Sequence, residues 1–130
     1  MTAVSYADAS ALVKLTVHES GSSAMERWYV ETERVLTSVV GIVETRRVVG
    51  RRPYDPVHLG LLLDSVEVVA LTPRVAERAA TVRPPGLRTL DAIHLATALE
   101  LGADLGAFVT YDDRLAAAAR ALGLPVVSPA

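Results

Sequence analysis

Residues 105–123, LGAFVTYDDRLAAAARALG, contain a strand, an acidic turn and a helix in immediate succession. The apolar run at residues 107–111 predicts a buried strand. The alanine-rich run at residues 113–122 predicts a helix, which the following glycine ends. A strand followed directly by a helix is the repeating unit of α/β folds. In such a unit, Asp112 and Asp113 stand at the carboxyl end of the strand.

The same alternation continues outward from this unit to both ends of the chain. Strands are predicted at residues 4–7, 35–37, 67–71, 107–111 and 124–127. Helices are predicted at residues 9–17, 22–31, 39–52, 57–63, from Thr72-Pro73 to before Pro84, 88–101 and 113–122. We therefore expect one α/β domain over residues 1–130, with a parallel sheet of four to five short strands sandwiched by helices.

Composition excludes several classes of protein and of site. Apolar residues make up 51% of the chain, the formal net charge is −2 and cysteine is absent. The absence of cysteine excludes disulfides, thiol nucleophiles and thiolate metal sites, and it fits a reducing compartment, so we expect a cytoplasmic location. The first eight residues do not resemble a signal peptide. No uncharged apolar stretch reaches about 18 residues, so no membrane span is expected.

Four acidic residues are predicted to lie at one edge of the sheet. Asp8 ends the first strand and Asp112 follows the strand at 107–111. Helices run antiparallel to the strands, so their N-termini lie at the same edge, with Asp91 in the first turn of one helix and Glu44 within about two turns of the start of another. Open parallel sheets bind ligands at this edge. Each acid alone could be a helix cap, a helix-dipole partner or an exposed residue, but their convergence favours a site.

Two of these acids stand in apolar surroundings that indicate burial. Glu44 follows VVGIV at residues 39–43, and Asp91 lies within LDAIHLATAL at residues 90–99. Buried carboxylates are costly without a partner, and converging carboxylates need protons or a cation between them. Oxygen ligands without cysteine or a histidine pattern indicate Mg²⁺ or Mn²⁺.

Three neighbouring polar residues are weaker candidates for the site. Ser10 and Thr110 could bond a carboxylate or a phosphate, or could be an ordinary cap and an ordinary strand residue. His94 follows Asp91 by three residues and is best explained as a packed, hydrogen-bonded histidine.

Arginine dominates the basic residues. Of thirteen Lys and Arg residues, only Lys14 is lysine, and four arginines cluster in the third predicted helix, at Arg46, Arg47, Arg51 and Arg52. The cluster is either a solvated helix face or a contact for phosphate or for an acidic partner segment, because arginine binds both groups through its planar fork.

Four segments of the chain resemble PIN-domain ribonucleases. YADASALVKL at residues 6–15 resembles the opening strand and turn of that family, and Glu44 its second acidic position. LDAIHLATAL at residues 90–99 is the most specific match, and FVTYDDRL at residues 108–115 is similar to the fourth acidic segment. The resemblance covers essentially the whole chain and is strongest to VapC-type toxins of toxin–antitoxin operons.

The resemblance implies a Mg²⁺- or Mn²⁺-dependent endoribonuclease that cleaves RNA, forms a homodimer and is neutralised by a VapB-like antitoxin. Its acids map onto Asp8, Glu44, Asp91 and Asp112, of which Asp8, Asp91 and Asp112 would hold the metal. Ser10 and Thr110 match the family's small hydroxyl positions. Asp113 is an additional acid, so the choice between Asp112 and Asp113 stays open.

Two other functions remain compatible with the sequence. The first is a catalytically inactive PIN-like scaffold that binds RNA or a protein, although the complete set of acids argues against it. The second is a phosphate-accepting α/β domain. A phosphatase of that kind has a D-x-D pattern where this chain has Asp8-Ala9-Ser10, and a receiver has a late lysine where this chain has only Lys14. Nucleotide-binding glycine loops and HExxH are absent.

Overall fold

The computed structural model describes residues 3–130, which form five strands and seven α-helices. The strands are β1 (Val4–Ala7), β2 (Val35–Ser38), β3 (Glu67–Val69), β4 (Leu105–Val109) and β5 (Val126–Val127). The helices are α1 (Ala9–Lys14), α2 (Ser22–Glu31), α3 (Val39–Val49), α4 (Pro56–Ser65), α5 (Pro73–Thr81), α6 (Thr89–Glu100) and α7 (Asp113–Ala121).

The strands form one sheet in the order β3-β2-β1-β4-β5, and every neighbouring pair is parallel. This arrangement confirms the predicted α/β fold with a parallel sheet between helices. The strands β1 and β4 are adjacent, with Tyr6 opposite Phe108 and Ala7 opposite Val109. Their carboxyl ends therefore bring Asp8 and Thr110 side by side.

Polar side chains at the carboxyl edge start the helices. The carboxylate of Asp8 accepts the amide of Ala11 at the start of α1, and the hydroxyl of Ser38 accepts the amide of Val40 in α3. The carboxylate of Asp112 caps α7 in the same way. Such caps satisfy amides that have no partner within the helix. Strand and helix are therefore joined with almost no intervening loop.

The hydrophobic core fills both faces of the sheet. On one face, Tyr6, Leu95, Phe108 and Leu115 are fully buried, and the rings of Tyr6 and Phe108 stack with centroids 5.6 Å apart. On the other face, the core includes Leu12, Met25 and Val109. Burial on both faces explains why the strands have apolar runs rather than an alternating pattern.

Several predicted element boundaries were wrong by two or more residues. The helix predicted at 9–17 ends at Lys14, and the one predicted at 39–52 ends at Val49. The strand predicted at 107–111 starts at Leu105 and ends at Val109. It ends there because the hydroxyl of Thr110 bonds Asp8 and the amide of Asp112, which turns the backbone toward α7.

Among residues 3–130, no helix combines the length and the apolar character that a membrane crossing needs.

Candidate active site

One cavity at the carboxyl edge of the sheet is lined by all four acids of the sequence prediction. It has a volume of about 580 Å³, and its walls include Asp8, Glu44, Asp91 and Asp112. Asp113 is exposed and does not line this cavity. The four acids come from β1, α3, α6 and the turn before α7, so the fold gathers them from distant segments.

Asp8 is the most deeply held of these acids. Its side chain is 4% exposed. Oδ1 accepts the hydroxyl of Ser10 at 2.6 Å and the amide of Ala11 at 3.0 Å, and Oδ2 accepts the hydroxyl of Thr110 at 2.6 Å. Ser10 and Thr110 therefore both bond a carboxylate, one of the two roles that the sequence left open for them.

Burial raises the pKa of Asp8 above its ordinary value of 3.8, because the carboxylate loses hydration. The nearby His94 and the bonds from Ser10, Thr110 and Ala11 oppose this rise without cancelling it. Such a buried carboxylate gains from a cation placed beside it.

A buried series of hydrogen bonds connects Tyr6 in the core to Glu44 through His94. The hydroxyl of Tyr6 lies 2.6 Å from Nδ1 of His94, and Nε2 of His94 lies 2.6 Å from Oε1 of Glu44. The Tyr6 oxygen also accepts the amide of Ser38. Burial raises the pKa of the Tyr6 phenol well above its usual range, so this hydroxyl keeps its proton and donates it to Nδ1. Nε2 of His94 then carries a hydrogen and donates it to Glu44.

Arg88 bridges the other two acids. Its Nε lies 3.4 Å from Oδ2 of Asp91 and its Nη2 lies 3.1 Å from Oδ2 of Asp112. Burial raises the pKa of Asp91, Arg88 lowers it, and the nearby charge of Asp112 raises it. Asp112 meanwhile uses Oδ1 to accept the amide of Leu115, so it serves both as the cap of α7 and as a wall of the cavity.

The carboxylates line one cavity without forming a tight cluster. Within residues 3–130, no three acidic or histidine side chains approach closely enough to hold a metal ion as they stand. The cation that Asp91 and Asp112 share is the guanidinium of Arg88.

Two further basic side chains also line the cavity. Lys14 and Arg52 both line it and both pair with Glu19, at 3.3 and 3.8 Å. Nζ of Lys14 also donates to the carbonyl of Ser20 and lies 4.5 Å from the ring centroid of Tyr111. The cavity therefore has both acidic and basic side chains in its lining, a combination suited to a cation and a phosphate together.

The predicted arginine cluster divides into two parts. Arg52 lines the cavity, whereas Arg46, Arg47 and Arg51 are exposed and do not.

Sequence reasoning missed Arg88, the contribution of Lys14 and Glu19, and the role of Tyr6. Arg88 could have been found as the residue three positions before Asp91, because that spacing places both on one helix face.

Comparison with known proteins agrees with this geometry. A family model described as PIN domain matches residues 5–121. Ribonuclease VapC47 of Mycobacterium tuberculosis is 40% identical over 130 residues, covering 95% of this chain and 96% of the relative.

Two solved structures share the fold at low sequence identity. VapC20 of Mycobacterium tuberculosis, a sarcin–ricin loop cleaving toxin, aligns with a TM-score of 0.74 and 18% identity, over 96% of this chain and 99% of that one. A toxin–antitoxin complex from Klebsiella pneumoniae aligns with a TM-score of 0.71 and 20% identity, over 97% and 98%. With its carboxylates at the edge of the sheet and relatives matched over nearly their full length, the chain belongs to the PIN-domain family, in the group of VapC ribonucleases.

Proposed function

We propose that the protein is an endoribonuclease that hydrolyses RNA phosphodiester bonds with Mg²⁺ or Mn²⁺ and acts as the toxin of a type II toxin–antitoxin pair. The observation that carries this proposal is the single cavity lined by four acids from separate segments, with the basic side chains of Lys14 and Arg52 also in its lining. Membership of a group whose relatives are named ribonucleases supports the same chemistry. RNA as substrate implies that the protein acts in the cytoplasm.

The residues of the cavity fit a hard divalent cation. Their acidic donors are oxygen atoms, which Mg²⁺ and Mn²⁺ prefer. Arg88 already stands as a cation between Asp91 and Asp112. We assign Asp8, Asp91 and Asp112 as the metal ligands, with Glu44 completing the set directly or through water. To bind the ion, these carboxylates have to move closer together, and the guanidinium of Arg88 has to move away from Asp91 and Asp112.

Asp112 is the better candidate for the fourth acid than Asp113, because only Asp112 lines the cavity and pairs with Arg88.

The chain's own residues divide the work of hydrolysis. A bound divalent cation supplies charge neutralisation at the phosphoryl oxygens and makes a water more acidic. Glu44, oriented by His94, accepts the proton of the attacking water. The water oxygen forms a bond to phosphorus, and the bond between phosphorus and the departing sugar oxygen breaks, that oxygen taking a proton from solvent. Lys14 and Arg52 bind the phosphate oxygens, and Ser10 keeps Asp8 oriented.

The test compares Asp91→Asn with a matched control, Asp64→Asn, whose carboxylate is exposed on α4. Purified proteins are incubated with total tRNA and ribosomal RNA in Mn²⁺ or in EDTA. We expect cleavage by the parent and by Asp64→Asn in Mn²⁺, and none by Asp91→Asn or in EDTA. Circular dichroism checks that Asp91→Asn remains folded. Undiminished cleavage by Asp91→Asn would remove the proposal, as would a parent that neither cleaves RNA nor melts higher in Mn²⁺.

A VapB-like antitoxin and a homodimer complete the proposal. Val30 and Leu61, 84% and 69% exposed, line one groove between α2 and α4, which supports a protein partner there. Arg46, Arg47 and Arg51 remain candidates for contact with RNA or an acidic antitoxin segment. Expression of the parent in a bacterial host should arrest growth, and Asp91→Asn should not. Sedimentation of the purified chain measures whether it is a dimer.

A further inference from the structure

A second cavity of about 580 Å³ lies between the loop before α6 and the face of α7. Most of its lining is apolar, which we call its floor, and three arginines also line it and define its rim, Arg83, Arg88 and Arg114. We call it the arginine-rimmed pocket. Arg88 and Asp91 line both this pocket and the cavity with the four acids, so the two spaces are adjacent.

The charge of the arginine-rimmed pocket is opposite to that of the chain as a whole. Three guanidinium groups surround it, and its lining includes one carboxylate, that of Asp91, which already pairs with Arg88. The chain has a formal net charge of −2. A local excess of arginine in an acidic protein favours an anionic ligand, and phosphate is the anion that guanidinium forks match.

The floor of the pocket suits a flat, apolar ring. Ala117, Ala118 and Ala121 line it from one face of α7, and Leu87 and Leu122 add to the apolar lining. Alanine side chains leave a shallow surface that a planar ring can cover. The volume lies within the range of pockets that bind small molecules, about 300–1,000 Å³. In a ligand that joins a ring to a phosphate, the ring can contact the alanines and the phosphate can contact the arginines.

We propose that the arginine-rimmed pocket binds the unpaired nucleotide next to the scissile phosphate of the RNA, with its base on the alanine floor and its phosphate at Arg88 and Arg114. This inference rests on the proposed function, because it takes the neighbouring cavity as the place of cleavage. Single-stranded RNA is recognised in this way, with bases on apolar or guanidinium surfaces and phosphates at basic groups.

The experiment measures binding separately from cleavage. The full chain, labelled with ¹³C in its alanine methyl groups, is titrated in EDTA with 5′-phosphorylated dinucleotides (pApA, pUpU, pCpC and pGpG). We expect saturable shifts of the Ala117 and Ala121 methyl signals, and weaker effects from inorganic phosphate or a free nucleoside. Arg114→Glu should weaken dinucleotide binding roughly tenfold or more, because it removes a charged contact.

Arg120→Glu is the matched control, since Arg120 is exposed on the same helix and does not line the pocket. Ala121→Trp, which fills the pocket, should also abolish binding, whereas Ala103→Trp at an exposed turn should not. In Mn²⁺, Arg114→Glu should raise the KM for RNA more than it lowers kcat.

The outcomes separate this inference from the proposed function. Cleavage of RNA without any shift of the Ala117 and Ala121 methyl signals overturns the pocket and leaves the nuclease. Saturable dinucleotide binding without cleavage by any variant supports the pocket and overturns the nuclease. Shifts caused by N-acetyl-leucine amide but not by dinucleotides would mean that the pocket takes an apolar side chain of a protein partner, and would overturn the nucleotide assignment. Equal weakening by Arg114→Glu and Arg120→Glu would do so as well.

Discussion

Asp8 combines deep burial with three hydrogen bonds, and its pKa is still raised. The ionised form is therefore less favourable in the folded protein than in the unfolded chain. Because the folded state holds this proton more tightly, stability falls as the pH rises from the ordinary value of 3.8 through the raised pKa of the folded state. At neutral pH the folded protein is therefore less stable than it would be without the charge of Asp8.

Asp8→Asn should remove the free-energy cost of burying this ionised carboxylate. An asparagine can keep its oxygen toward Ser10 and Ala11 and its amide toward the Thr110 hydroxyl. The variant should gain stability over the parent as the pH rises above 3.8, by about 1.4 kcal/mol for each unit by which the pKa was raised, and the gain should level off once the parent's carboxyl is ionised. Urea unfolding between pH 3.5 and pH 8 measures the difference.

Asp64→Asn serves as the control for that series, because it removes a carboxylate that is exposed. An Asp8→Asn variant less stable than the parent at neutral pH would contradict the prediction, since the hydrogen bonds would then outweigh the cost of burial.

At the scale of the element, α3 carries Glu44 and packs against the end of β2 through Gly41. A Cβ at Gly41 would overlap the hydroxyl of Thr37 and approach Cε1 of His94 to 3.3 Å. The Thr37 hydroxyl is fixed by its bond to the carbonyl of Ala7, so it cannot turn away freely. Gly41 therefore lets the helix come close enough for Glu44 to reach His94.

Gly41→Ala should destabilise the fold by about 1–3 kcal/mol, in spite of alanine's better helix propensity, because the helix has to move away from Thr37. Gly60→Ala is the matched control in α4, where an added Cβ has no neighbour within 4 Å. That control should stabilise the protein by roughly 0.5–1 kcal/mol. Urea unfolding measures the stability of both variants. Equal stabilisation by both substitutions would refute the close approach of α3 to Thr37 at Gly41.

The elements themselves were largely predictable from the sequence, and their ends were not. The strand–helix order follows from apolar runs, capping residues and glycines, and Ser38 and Thr72 cap α3 and α5. The early end of β4 depends on Thr110 bonding Asp8, a contact between distant residues that no local pattern encodes. The bridge from Arg88 to Asp112 likewise depends on the packing of two helices.

At the scale of the whole molecule, residues 127–129 hold the segment beside the cavity in place. These residues lie beyond residue 121, where the match to the family ends. Thr110 donates its amide to the carbonyl of Val127, and the hydroxyl of Ser128 donates to the carbonyl of Thr110. The hydroxyl of Tyr111 donates to the carbonyl of Pro129. The edge strand β5 and the residues after it thus hold Tyr111, which lines the cavity, and Thr110, which bonds Asp8.

Deletion of residues 126–130 should lower the free energy of unfolding by about 2–4 kcal/mol, because three such bonds and the edge strand are lost. Removal of Ala130 alone is the control and should have little effect. Urea unfolding measures both. A truncated chain as stable as the parent would contradict this prediction, because β5 would then contribute nothing to the free energy of unfolding.

The order of the strands also governs when the candidate active site can assemble during synthesis. The central pair β1 and β4 joins the beginning of the chain to a segment near its end. During synthesis, a ribosome has to release residues up to α7 before the acidic walls can meet. Incomplete or prematurely terminated products therefore lack an assembled centre, and the cavity can become active only after nearly the whole chain has been translated.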